Sequence, residues 1–386
     1  MNDNQTVELT PEFLEQYSVL SFAVSLIILG MLTGALASWT YLIVRAVRRQ
    51  PLLTVEPSTP RVWGLADVMF IAITSVICQI VFASAYVRIA GQGIPENGDA
   101  QLTAAVATAA SLGNVAAIVL ALGWLALRFN VTPEHAGFRT QGWWRQLQIG
   151  VVATLAVLPV VYLLMAAVSI GLKTEYSHPL LDEVRRNATL GSYLLGVVTA
   201  VLLAPLAEEF LFRVLIQGWL QSWPVSTPRQ ILFGAGLAER NVTLKNATSN
   251  SAWDAGDDGE WDVQAELVDA PLHPPLVATT VSASPNPYAV PLSSEAGQAG
   301  VDSVAPHDTL AQFVPPVWPS IVTGILFGLA HWGYGLSFIP LIVLGILLGL
   351  LYRATNSIWP CFLVHFALNG SSMLMLGFSI LVERSK

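Results

Sequence analysis

Two adjacent carboxylates and an arginine interrupt an otherwise apolar stretch of the chain. Glu208 and Glu209 come directly after the uncharged run 187–207, and Arg213 follows four residues later. Residues four apart share a face of a helix, so Glu209 and Arg213 are predicted to pair as acid and base. Successive residues are rotated by about 100°, so Glu208 is predicted to have a different partner and to face a cavity. A carboxylate in that position can act as a general base or as a metal ligand.

Three more polar side chains lie inside apolar runs near the carboxyl end of the chain. His331 ends the apolar run Ile321–Ala330, and His365 and Asn369 are four residues apart, so they project from one face of a helix. A histidine accepts a proton near neutral pH or binds a metal through its neutral ring. An amide beside it can donate to a developing oxyanion. The same pair could equally serve as a hydrogen-bonded contact between membrane helices.

These six residues are costly where they stand. A charged side chain in a membrane-spanning helix costs about 2.5 to 3.5 kcal/mol on insertion scales. If the three segments converge, they supply a carboxylate and an imidazole to activate water, and donors to stabilise a tetrahedral intermediate. Those are the parts that amide hydrolysis requires. The alternative is that Glu208, Glu209 and Arg213 only mark a helix end at the membrane surface.

The elements that must position these residues are membrane helices. The chain is 54% hydrophobic and 11% charged, with a mean hydropathy of +0.59, which excludes an ordinary soluble protein. A helix needs about 20 apolar residues to cross a bilayer, and uncharged runs of that length occur between Glu15 and Arg45, Asp67 and Arg88, Asp99 and Arg128, Arg145 and Lys173, and Arg186 and Glu208. Residues 308–383 have room for three more helices. We therefore predict an all-α, multi-pass membrane bundle of about eight helices.

Local signals refine this prediction. Pro205 predicts that a helix starts just before the two glutamates, because proline is tolerated in a first turn and disrupts an interior. The glycine-rich segment Leu344–Leu350 predicts a close approach of helices. Basic residues cluster in the loops after the first and third spans, which places both loops in the cytoplasm and the amino terminus outside. The first span lacks a basic leader and a cleavage site, so we expect it to be retained.

The chain divides into four parts. Residues 1–18 precede the membrane, 19–186 form about four spans, and 187–223 together with 319–382 form the core that carries the polar residues. Residues 224–318 separate the two halves of that core and contain eleven acidic residues, three basic residues and eleven prolines. This composition buries too little apolar surface to offset the entropy of ordering, so the acidic, proline-rich insertion is predicted to be disordered or loosely ordered. It is interpreted as a linker, with a regulatory or partner-binding arm as the alternative.

Three motifs resemble those of the CAAX prenyl protease and bacteriocin-processing family of intramembrane proteases, which includes the type II CAAX prenyl endopeptidases. They are EExxxR at Glu208, Glu209 and Arg213, FxxxH at Phe327 and His331, and HxxxN at His365 and Asn369, in the family's order. The segment Tyr352–His365 also resembles the family's linker into its last core helix. The resemblance covers about residues 190–375 without the insertion. Val214 departs from it, since many members have glycine there.

The resemblance implies an endopeptidase with a water-accessible cavity that cuts near the carboxyl terminus of a membrane-associated or prenylated substrate. It assigns Glu208 and His331 to the activation of water, and His365 and Asn369 to the oxyanion site. If a divalent, zinc-like metal takes part, Glu208, His331 and His365 are its implied ligands; otherwise Glu208 is the base directly. The expected partners are membrane lipid and a peptide or protein substrate, with no nucleic acid. The expected location is a plasma (inner) membrane.

Two other functions stay open at this point. A non-catalytic membrane scaffold or bacteriocin-immunity-type protein could have the same helices, with the acidic insertion as its binding segment. An ion-coupled transporter or proton relay could also use glutamate and histidine inside the membrane. The sequence shows no inverted repeat and no matched pair of broken helices, which counts against a transporter.

Overall fold

The computed structural model describes residues 18–90, 104–173, 179–186, 189–235 and 312–384, all within one compact unit. In these ranges the chain is helical apart from its loops and one isolated pairing of Ser58 with Phe313. The described helices are α1 (Ser18–Val47), α2 (Leu65–Ile89), α3 (Ala104–Phe129), α4 (Trp143–Leu172), α5 (Pro179–Arg186), α6 (Leu190–Val225), α7 (Pro228–Phe233), α8 (Trp318–Leu329), α9 (Phe338–Thr355) and α10 (Ile358–Arg384).

The predicted all-α membrane bundle of about eight apolar helices is confirmed. Seven described helices are long and apolar enough to cross a membrane, and α8 is a shorter apolar helix. The four uncharged runs of the first half correspond to α1 through α4. Large apolar side chains such as Ile89, Leu127 and Leu163 are exposed on the outside of the bundle. Lipid covers such a surface at little cost, because acyl chains are as apolar as leucine.

The prediction that a new helix begins at Pro205 is wrong. Helix α6 runs without a break from Leu190 to Val225, with π-helical segments at Val198–Leu203 and Phe210–Gln217. The N–H group of Ala204 donates to the carbonyl of Thr199, five residues back. This wider turn comes just before Pro205. It accommodates the proline ring, which has no N–H group and crowds the preceding turn of a regular α-helix. Since the two glutamates lie near the middle of α6, they do not mark a helix end.

A buried polar network joins α6 to α8 and α9. The Gln217 amide donates to the Gly349 carbonyl at 2.7 Å and to the Ser320 hydroxyl at 3.2 Å. Its oxygen accepts from the Thr323 hydroxyl at 3.3 Å. Gln217, Ser320 and Thr323 are all buried. Polar side chains that satisfy one another in this way hold membrane helices in register.

Glycines bring α8 and α9 into backbone contact, as the glycine-rich segment predicted. A Cβ atom added at Gly324 would lie 2.4 Å from the backbone nitrogen of Ile346. One added at Gly345 would lie 2.8 Å from Gly324, and one at Gly349 would lie 2.9 Å from the Cα atom of Ser320. No side chain fits at these distances, so the contact requires glycine.

The two basic loops meet at one end of the bundle, as expected for loops on the same side of a membrane. Glu56, in the loop after α1, accepts hydrogen bonds from Arg139, at 2.8 Å, and from Arg145. Arg139 lies in the loop between α3 and α4, and Arg145 lies in the first turn of α4. The Asn356 amide donates to the Glu56 carbonyl at 3.1 Å. Burial raises the pKa of the Glu56 carboxyl, but the hydrogen bonds and charges of Arg145 and Arg139 outweigh it and hold that pKa below its ordinary value.

Both ends of the predicted insertion have defined structure. Residues 224–235 include α7, and the N–H group of Ala235 donates to the Val62 carbonyl at 2.8 Å. Residues 312–318 include Phe313, whose N–H group donates to the Ser58 carbonyl at 3.0 Å. The predictions of disorder for residues 236–311 and of an extramembrane segment for residues 1–17 concern residues outside the described ranges.

Replacing Gly324 with alanine is expected to lower the free energy of unfolding by about 1 to 3 kcal/mol, because the added methyl group overpacks the contact with α9. Gly123→Ala is the matched control, since a Cβ atom at Gly123 has no neighbour within 4 Å. That change should be neutral or stabilise α3 by up to about 1 kcal/mol. Denaturant titration of the purified proteins in detergent measures both. Equal effects of the two substitutions would contradict the backbone contact.

The Glu56 ion pairs should make stability depend on acid pH. A carboxyl whose folded pKa is depressed stabilises the fold above its unfolded pKa, and this contribution disappears as pH falls through the folded pKa. Wild type should therefore be more stable than Glu56→Gln at pH 7, and the difference should shrink as pH falls below the ordinary value of 4.5. Thermal unfolding of both proteins between pH 3 and 7 gives the comparison. A difference that stays constant over this range would argue against the ion pairs.

Candidate active site

The predicted ion pair of α6 is present and lies in the centre of the bundle. Glu209 Oε2 accepts a hydrogen bond from Arg213 Nε at 2.9 Å, and both side chains are 0% exposed. The Arg213 guanidinium also lies over the Phe327 ring, 5.4 Å from its centroid. A buried charge needs both a counter-charge and good local contacts, and this arrangement supplies a carboxylate and an aromatic face.

His365 of α10 lies between the two glutamates of α6. Its Nδ1 is 3.0 Å from Glu209 Oε1, and its Nε2 is 3.7 Å from Glu208 Oε2. The prediction that the two glutamates have different partners is therefore wrong in one respect: both of them contact His365. Two nitrogens on different sides of one ring can reach two carboxylates that leave the helix in different directions. Glu209 retains Arg213 as a partner that Glu208 lacks.

His331 approaches the same carboxylate from the end of α8. Its Nε2 is 4.0 Å from Glu208 Oε2, and its Nδ1 is 2.8 Å from the Phe327 carbonyl oxygen. A carbonyl oxygen only accepts, so Nδ1 carries a hydrogen and the neutral ring has an unprotonated Nε2 near Glu208. The helix can present His331 in this way because α8 ends at Leu329, after about 18 Å.

Access to water differs sharply among these groups. The side chain of Glu208 is 29% exposed and that of His331 is 17% exposed, whereas Glu209 is fully buried. Glu208 Oε2 itself is buried and has no hydrogen-bond partner among the described residues. A carboxylate oxygen in that state requires a donor, and a water molecule between it and the two histidines would supply one.

Phe327 packs against both histidines, a role that the sequence did not reveal. Its ring centroid lies 5.1 Å from that of His331 and 5.5 Å from that of His365. Phe212, from the second π-segment, contacts it edge-on at 5.3 Å. The spacing of Phe327 and His331 was the only sequence signal, and it gave no reason to expect contact with α10.

Asn369 lies one turn beyond His365, but its amide is turned toward α6. Its Nδ2 donates to the carbonyl of Ala200, in the first π-segment, at 2.8 Å. A hydrogen-bonded contact between membrane helices was the alternative role predicted for Asn369, and this bond is such a contact. An amide nitrogen has a second N–H group, so the predicted role of Asn369 at an oxyanion stays a prediction.

The three residues implied as metal ligands have the donor types that zinc binds, but they are widely spaced. The Nδ1 atom of His365 contacts Glu209, and that of His331 contacts the Phe327 carbonyl. Contacts of this kind orient metal-binding histidines. Ligands of tetrahedral zinc lie about 3.3 Å apart, compared with 3.7 and 4.0 Å here. Within the described ranges no three His, Cys, Asp or Glu side chains are already arranged as a metal site.

Comparison with protein families gives a match to part of the chain. Residues 305–371 match the family model described as type II CAAX prenyl endopeptidase Rce1-like. The matched range contains Phe327, His331, His365 and Asn369, but not the glutamates of α6. Neither curated proteins nor solved structures give a match. The family match confirms the resemblance for the FxxxH and HxxxN motifs: residues 305–371 of the chain are similar to the type II CAAX prenyl endopeptidase Rce1-like family.

Proposed function

We propose that the chain is an intramembrane endopeptidase that hydrolyses a peptide bond near the carboxyl terminus of a membrane-associated substrate. The observation that carries this proposal is the buried Oε2 atom of Glu208, which has no hydrogen-bond partner among the described residues. It lies 3.7 Å from His365 Nε2 and 4.0 Å from His331 Nε2. These separations suit a water molecule that donates one hydrogen to the carboxylate and one to an imidazole nitrogen.

Glu208 acts as the general base. It takes a proton from the water while the water oxygen attacks the carbonyl carbon of the scissile bond. His331 accepts a hydrogen bond from the other O–H group of the same water and so fixes its direction of attack. The protonated Glu208 then gives its proton to the leaving amine nitrogen as the tetrahedral intermediate collapses. One carboxylate thereby serves as base and then as acid, and it is regenerated at the end of the cycle.

The remaining polar groups stabilise negative charge and hold the base in place. Glu209 and Arg213 anchor the Nδ1 side of His365, which keeps its Nε2 near the reacting atoms. A second proton on His365 makes Nε2 a donor to the oxyanion, and the free N–H group of Asn369 is the other candidate donor. If a divalent metal is bound by Glu208, His331 and His365, it supplies Lewis acidity at this position.

The environment of the site favours a substrate that is itself at the membrane. Glu208 lies near the middle of a helix long enough to span a bilayer, so a soluble peptide would have to leave water to reach it. A lipid anchor on the substrate lowers that cost, because each buried methylene contributes about 0.8 kcal/mol. A lipidated, prenyl-type substrate in the plasma membrane is therefore the form that we propose.

Substitution of Glu208 with glutamine is expected to abolish peptide cleavage, with at least a 100-fold loss, because an amide does not accept the proton of water. The assay is cleavage of fluorogenic carboxyl-terminal peptides, with and without a lipid anchor, by purified protein in detergent. Glu134→Gln, which changes a glutamate in the loop between α3 and α4, is the matched control and should keep full activity. Unimpaired cleavage by Glu208→Gln would rule out the mechanism.

A chelator arm of the same assay separates the two ways of activating water. Activity that survives exhaustive chelation supports direct activation by Glu208. Activity that is lost, and then restored by added zinc, supports a metal held by the same three residues. A folded wild-type protein that cleaves no peptide would favour a non-catalytic scaffold. Glu208-dependent proton flux in proteoliposomes would favour a transporter.

Glu209 and Arg213 should behave differently from Glu208, because they form a buried pair. Glu209→Gln leaves the Arg213 guanidinium buried without a counter-charge, which typically costs about 3 to 5 kcal/mol. Arg213→Met has the converse effect, and the double variant should recover much of the loss. Denaturant unfolding of the two single variants and the double variant gives the coupling energy. Additive losses in the double variant would contradict a direct pair.

A further inference from the structure

A small polar cavity opens at the end of the bundle where the basic loops meet. It has a volume of about 180 Å³, and Glu56, Arg139 and Arg145 line it together with Gln146 at the start of α4. Glu56 binds the Nη1 atom of each arginine. One carboxylate against two guanidinium groups leaves a formal charge of +1. A guanidinium has five N–H donors, so the carboxylate uses only part of what each arginine offers.

An apolar groove of about 450 Å³ adjoins this cavity. Arg139 and Gln146 line both spaces, so the two lie side by side. The groove runs between the first turns of α4 and α10, and its walls are formed by Trp143, Leu147, Trp359, Phe362 and Leu363. Trp143 is 63% exposed and Trp359 is 38% exposed. Tryptophans at the ends of spanning helices lie at the level of the lipid headgroups.

We propose that this cavity and groove bind one anionic phospholipid, with its phosphate on Arg139 and Arg145 and an acyl chain along Trp359 and Phe362. Three features of the site favour such a ligand. A cavity lined by charged groups beside an apolar groove matches a molecule with a charged head and an apolar tail. The planar guanidinium group suits phosphate oxygens. The two basic loops are predicted to lie on the cytoplasmic side, where anionic lipids are concentrated.

Competition between Glu56 and the lipid phosphate follows from this geometry. Both are anions beside the same two arginines, so the negative charge of Glu56 opposes phosphate binding even when the two use different N–H donors. Removing the Glu56 charge should therefore strengthen lipid binding, while removing an arginine should weaken it. An ion pair with a structural role only would not produce effects of opposite sign. The inference does not depend on the proposed hydrolysis, because none of the residues that line the cavity and the groove is assigned a part in it.

Native mass spectrometry of the full chain in detergent, titrated with dioleoyl phosphatidylglycerol or dioleoyl phosphatidylcholine, tests the site. We expect one phosphatidylglycerol to be retained at concentrations at which phosphatidylcholine is lost. Arg145→Gln should weaken its binding roughly five-fold, the effect of one basic residue at an anionic membrane surface. Arg145 is suitable because 61% of its side chain is exposed. Arg48→Gln, at the exposed end of α1, is the matched control and should leave binding unchanged.

Two further variants complete the test. Glu56→Gln should bind phosphatidylglycerol more tightly than wild type, and Trp359→Ala should bind it more weakly while leaving the headgroup preference intact. Equal retention of both lipids would overturn the proposal, since it would indicate only the ordinary lipid surround. Equal effects of Arg48→Gln and Arg145→Gln would also overturn it. So would inorganic phosphate that, added alone, raised the thermal stability of the protein as much as the lipid does.

Discussion

The Glu209–Arg213 ion pair constrains the whole centre of the molecule. Both groups are fully buried among apolar helices, where an unpaired charge would cost several kcal/mol. Satisfying them requires more than the two residues themselves. Phe327 from α8 supplies an aromatic face to the arginine, and His365 from α10 supplies a donor to the glutamate. The pair therefore brings three helices together, and it places the neighbouring Glu208 where water can reach it.

The backbone of these helices is adapted to this convergence. Helix α6 has a π-segment on each side of Glu208 and Glu209, and such segments often mark functional sites in helices. Helix α8 is short, so its last turn delivers His331 inside the bundle rather than at its surface. Glycine contacts let α9 pack directly against α8. Each departure from a regular spanning helix thus serves to bring Glu208, His331 and His365 together.

Much of the fold and of the candidate site could be predicted from residue spacing and composition, and the predictions that were wrong failed for physical reasons. Uncharged runs predicted the spanning helices, and the four-residue spacing predicted the Glu209–Arg213 pair. The shared contact of His365 depends on the distance between α6 and α10, which no local pattern encodes. The prediction of a helix start at Pro205 was wrong because a π-helical turn can accommodate proline within a helix. The ends of the insertion are held by backbone hydrogen bonds at Val62 and Ser58, which composition does not reveal.

We propose that Glu208 activates water and does not itself attack the peptide. Single-turnover cleavage in ¹⁸O-labelled water tests this directly, by mass spectrometry of the new carboxyl terminus and of the protein. Activation of water places one ¹⁸O atom in the product during the first turnover and leaves Glu208 unlabelled. An unlabelled first product with ¹⁸O in Glu208 would show that the carboxylate attacks the substrate, and would contradict the claim.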